Sequence, residues 1–138
     1  MIIPVGPDHP FLGGVVVDDF LHGKSSIGTR LMPTLYSYGS YWGVGELYIN
    51  DELVSGNRIV HIMVTEDVRD ENYRLMIDSE LPHQGVHTHL ILPNLVATPE
   101  GPKEEPVPTM FILPNDMEQP FLHIMFENTE LEGIEILE

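Results

Sequence analysis

The chain has no cysteine. Disulfides, thiolate zinc sites, iron–sulfur clusters and thiol catalysis are excluded together. Any metal must be held by His, Met, carboxylate or carbonyl groups. Basic residues are scarce: six Lys and Arg stand against 22 Asp and Glu, a formal charge of −16. Such a surface repels a phosphate backbone and an anionic bilayer, which argues against nucleic-acid and membrane partners. Only Lys24 and Lys103 are lysines. The acid excess serves solubility, and it would also suit a high-salt habitat, where screening relaxes self-repulsion. No apolar run nears the roughly 20 residues of a membrane helix. The start, Met1-Ile2-Ile3-Pro4-Val5-Gly6-Pro7, lacks the basic residues and long apolar stretch of a signal peptide. A cytoplasmic location is therefore expected. Long apolar stripes of helical period are missing as well. The best helical candidates, Asp18–Leu21 and Asp116–Gln119, are one turn each.

What is present points to strands. Over 138 residues, 12 Gly and 12 Pro punctuate the chain into short segments. A single domain over 1–138 is expected, long enough for its own core. Candidate strands are Gly14–Phe20, Thr34–Tyr38, Gly43–Ile49, Glu52–Val54, Arg58–Asp67, Tyr73–Asp78, Val86–Leu92, Thr109–Leu113, Phe121–Glu127 and Gly133–Leu137. Asn50-Asp51 and Ser55-Gly56-Asn57 read as turns, because Asn and Asp tolerate left-handed backbone and bond locally. Gly39-Ser40 reads as a third. The stretch Pro93–Pro108, with four prolines after Pro93 and three glutamates, reads as a mobile Pro/Glu-rich loop. The expected fold is all-β: eight or nine antiparallel strands in a curved sandwich or a closed calycin-like barrel.

Three short runs carry the chemistry. His61-Ile62-Met63, His87-Thr88-His89 and His123-Ile124-Met125 each place soft side chains two residues apart. Strand residues two apart share a face. His61, His87, His89 and His123 could thus converge on one ion; imidazole suits zinc, copper, iron or nickel, and the thioethers of Met63 and Met125 favour copper(I). The alternating residues, Val60, Ile62 and Val64 or Leu122, Ile124 and Phe126, form a wholly apolar face and read as the core side. A His/Met face is too apolar for ordinary surface, so the partly irregular amino-terminal third, a ligand, an ion or a second copy is expected to cover it. A homo-oligomer, with a dimer favoured, follows from that expectation.

The segment Tyr36-Ser37-Tyr38-Gly39-Ser40-Tyr41-Trp42 concentrates aromatics with polar tips. Tyr36, Tyr38 and Trp42, with Met63 and Met125, are the candidate walls of a small-molecule site. An acid/base pair is less well supported. Asp18-Asp19 precedes His22, but adjacent strand residues face opposite ways, and no nucleophile elbow or phosphate loop occurs. The acidic runs Glu66-Asp67, Asp70-Glu71 and 127–138 lack calcium-loop spacing. The sequence thus leads to a non-enzymatic ligand-binding β domain. A metal-binding protein or metalloenzyme and a structural assembly module are the alternatives.

Overall fold

The computed structural model describes residues 14–132. They form one antiparallel, open sheet of seven strands: β1 (Val15–Leu21), β2 (Leu35–Ile49), β3 (Glu52–Thr65), β4 (His87–Leu92), β5 (Leu95–Thr98), β6 (Gly101–Glu104) and β7 (Leu122–Phe126). The main path runs β1-β2-β3-β4-β7, while β5 pairs with the middle of β3, at Arg58, and with β6. One 3₁₀ turn, Asp78–Glu80, is the sole helical element among the described residues. The sheet does not close into a barrel, and no second sheet packs on it among these residues.

The long hairpin β2–β3 organises the sheet. Its turn is Asn50-Asp51, with φ of 51° and 65°, the left-handed pair that a two-residue hairpin needs. Two expected turns are instead crossed by strand. Gly39 and Ser40 pair on both sides, with Val17 and Val16 of β1 and with Val64 and Met63 of β3. Ser55-Gly56-Asn57 lies within β3, where Asn57 takes φ of 54° and the ladder slips. Ladder bonds to two neighbours outweigh weak turn propensity there. The Pro/Glu-rich stretch is no loop: it holds the hairpin β5–β6, turned at Pro99-Glu100. Its Pro102 sits on a margin strand, where a missing N–H costs little. The expected strands Tyr73–Asp78 and Thr109–Leu113 shrink to single bridges, Arg69 to Leu75 and Ile112 to Glu118. Asp18–Leu21 lies in β1 rather than a helix. The candidate strand Gly133–Leu137 lies outside the described residues.

The core lies on the side opposite to the one expected. Leu21, Leu35, Met63, Val68 and Leu81 form the buried cluster, with Val16, Met32 and Met76 against it. Met63 belongs to the His/Met face, so that face is the inner one. The connections 22–34 and 66–86 supply Met32, Val68, Met76 and Leu81, and so lie across it. Fully burying a side chain such as Leu35 contributes about 2 kcal/mol. Glu66, 2% exposed, pins the second connection. Its carboxylate accepts from the Tyr36 N–H at 2.7 Å and from His83 Nδ1 at 3.0 Å, as a buried charge requires. No helix among the described residues is long and apolar enough to cross a membrane.

Candidate functional site

Register brings the three His-bearing runs side by side. His61 lies opposite Ile91, which lies opposite His123; Met63 lies opposite His89, which lies opposite Met125; Thr65 lies opposite His87. His89 therefore sits between two thioethers on the inner face, with His61 and His123 diagonal to it. The expected sharing of one face by His61, Met63, His89, His123 and Met125 is what the ladder produces.

Hydrogen bonds then assign the tautomers. The Thr65 hydroxyl has one proton, and it donates to Glu66 O at 2.9 Å. The contact of Thr65 Oγ1 with His89 Nε2 at 3.3 Å must therefore be donated by the ring. In a neutral imidazole the other nitrogen is bare, so His89 Nδ1 accepts from His123 Nε2–H at 3.1 Å. His61 donates Nδ1–H to Tyr41 O at 3.0 Å and stacks on Trp42 with centroids 3.9 Å apart. His87 donates Nε2–H to Asp67 Oδ1 at 3.0 Å, and its buried Nδ1 has no partner.

Burial keeps His61 and His89 neutral. It lowers the His61 pKa to about 4, against a smaller opposing effect of the Tyr41 carbonyl. Burial also lowers His89 to about 4, helped by His123, His87, Arg69 and His61. His123, at the sheet margin, is lowered chiefly by partial burial and then by the Arg69 guanidinium. The bare nitrogen of His89 is engaged by His123. Among the described residues, no group of three or more His or carboxylate side chains is arranged to hold a metal ion. The arrangement is chemically a neutral, hydrogen-bonded seam within the fold.

The aromatic candidates separate. Tyr36 lies opposite Phe20, on the side away from the buried pair Leu21–Leu35. Phe20, Tyr36 and Tyr38 stack edge to face at 5.5 and 5.2 Å. Tyr36 donates its hydroxyl to Asp18 and Tyr38 donates to Gly85 O. Trp42 points inward with Met63 and Met125. The five residues thus line no common wall. Two adjoining shallow clefts, each about 280 Å3, share Asp67, His87, Glu127 and Asn128 instead. No Asp18/Asp19–His22 pair forms: Asp19 caps its neighbour Phe20, and His22 Nδ1 accepts the Thr29 N–H.

The surface that sequence reasoning missed is the outer sheet face. Register aligns Val17, Gly39, Val64, Thr88 and Phe126 in one row, and Val15, Tyr41, Ile62, Leu90 and Ile124 in the next. None is charged. Val17 is 64% and Phe126 52% exposed. A Cβ built on Gly39 would meet nothing within 4 Å. The alternation that marks this face was plain in the sequence, and it was read as core. Comparison with protein-family models, with curated proteins and with solved structures returns no match.

Proposed function

We propose that this chain is a non-enzymatic assembly module that pairs with a second copy of itself through the outer sheet face. The observation that carries this reading is the pair of uncharged five-residue rows, Val17 to Phe126 and Val15 to Ile124, exposed at the sheet margins and half-buried across the middle strands. Phe20, Tyr36 and Tyr38 extend the same surface at one end. Contiguous apolar patches of this size mark interaction sites.

Charge selects the occupant's mode of approach. Two copies at −16 each repel least where acid is absent, as it is from the two rows, with Asp18 bonded to Tyr36 at their border. Sheets pack face to face at about 10 Å with both inner layers apolar. A two-fold pair would complete a β-sandwich, each copy supplying one sheet.

Sedimentation and light scattering test this at micromolar concentration. A dimer is expected, and Gly39→Glu should dissociate it while leaving the circular dichroism of the monomer intact, since the site is open. Salt should tighten the dimer by screening the like charges. A wild-type chain that stays monomeric at all salt concentrations would sink the reading.

A further inference from the structure

The segment joining β6 to β7 is neither strand nor loose loop. Residues 107–120 fold back on themselves as a finger. At the base, Val107 N donates to Pro120 O at 2.8 Å and Thr109 Oγ1 to Gln119 O at 2.8 Å. Further out, Gln119 N donates to Phe111 O, Leu113 N to Met117 O, and Asp116 N to Leu113 O. Met110 N donates to the Glu118 carboxylate at 2.7 Å. These bonds tie the two legs of the finger to each other.

Its side chains are another matter. Met110, Phe111, Ile112 and Met117 are 60–68% exposed. Among the described residues, these four large apolar groups on one projection stay largely open to solvent. The root, by contrast, is fixed: Val107 is 1% and Thr109 8% exposed.

Arg58 shows which side of the sheet the finger belongs to. It shares parity with Val60, Ile62 and Val64, so its side chain leaves β3 on the outer side. Its Nη1 donates to Glu105 O at 2.6 Å and its Nη2 to Pro106 O at 2.8 Å. Leu92 and Val96, of the same parity, are buried beside it. The chain entering the finger therefore lies over the outer side, at the end of the sheet where Leu92 pairs with Leu122.

Area decides what the finger adds. Five strands about 4.8 Å apart and five to six residues at about 3.4 Å outline roughly 450 Å2 in projection. A stable pair commonly buries about 800 Å2 on each partner. The outer face alone falls short of that, and the apolar finger beside it supplies surface of the missing kind.

We infer that the finger 107–120 is a clasp that grips the second copy, its Met110, Phe111, Ile112 and Met117 closing over the margin of the partner's outer face when the outer faces meet. This rests on the outer-face pairing proposed above. The clasp makes the contact two-fold, since each copy both offers a finger and receives one.

The test compares three variants of the full chain by sedimentation and by circular dichroism. Phe111→Ser with Ile112→Ser removes one leg's contacts; Met117→Ser removes the other's; Gly39→Glu blocks the face. The finger variants alter exposed groups, so the monomer's spectrum and melting should hold. Each is expected to raise the dimer Kd roughly tenfold or more, and Gly39→Glu to abolish the dimer. If Gly39→Glu dissociates the pair and both finger variants leave Kd unchanged, the clasp is wrong and the face pairing stands. If finger variants dissociate it and Gly39→Glu does not, the face pairing falls and the clasp as drawn falls with it. A monomeric wild type overturns both.

Discussion

His123 Nε2 donates to His89 Nδ1 across 3.1 Å, from an exposed ring on the sheet margin to a ring that is 6% exposed. That single bond fixes the proton on both imidazoles. His89 should carry its proton on Nε2 and His61 on Nδ1, two different tautomers on one sheet face. Nitrogen NMR shifts of the labelled protein distinguish them. A His89 ring protonated on Nδ1 would overturn the assignment. His123→Phe removes the donor and leaves a buried acceptor unpaired, which should cost about 1–2 kcal/mol in urea unfolding.

Acid should act on the same rings. His61 and His89 have folded pKa values near 4, below the ordinary 6.5. Between those values the unfolded chain binds protons that the folded chain refuses. Stability is therefore undiminished by these rings above about pH 6.5 and falls as pH drops toward 4, by about 1.4 kcal/mol per pH unit for each ring at the steepest. Below pH 4 the folded rings charge too, and the loss levels off. The measurement is a difference between wild type and variant. His61→Asn should flatten the urea-midpoint profile between pH 4 and 6.5 relative to the wild type. Parallel profiles would show that the ring is not held neutral.

Arg58 is the buried cation of the fold. Its side chain is 2% exposed and meets Ser55 Oγ at 2.7 Å as well as the two carbonyls at the finger's root. Its ion pair with Glu105 is 3.3 Å, with the carboxylate half-exposed, so the carbonyl bonds matter more. Arg58→Ala strands two acceptors and should destabilise by about 2–4 kcal/mol. Arg58→Lys should recover only part, because one ammonium cannot match the guanidinium fork. Hydrogen exchange should report faster opening at Val107 and Thr109 than at Ile62. Equal exchange at both would show that Arg58 does not anchor the finger.

Much of the local structure was legible. Alternation in 59–65, 87–92 and 121–127 places His61 with Met63, His87 with His89 and His123 with Met125 on one face of each strand, because a strand's period of two admits no other arrangement; register then joins the three. Asn50-Asp51 announced its turn through residues that accept positive φ. Short-range signals misled where long-range pairing dominated. Gly39-Ser40 resembles a turn until β1 and β3 bond to either side of it. Pro93–Pro108 resembles a loop until Pro99 takes the corner of β5–β6. The finger's apolar residues read as strand because composition records what is apolar and not what covers it.

The sequence by itself determined that the chain is built of strands, that the imidazoles and thioethers within each run share one side, and that Ile62, Ile124 and Phe126 take part in an apolar one. Alternation makes both faces at once and treats them symmetrically. Only the tertiary structure decided which of them is inside. The connections 22–34 and 66–86 cross one side of the sheet, bring Met32, Val68 and Leu81 onto Met63, and bury His61 and His89 there. Burial by distant segments depends on where loops run in space. That is why the His/Met face became the interior, while most of the other face lies open.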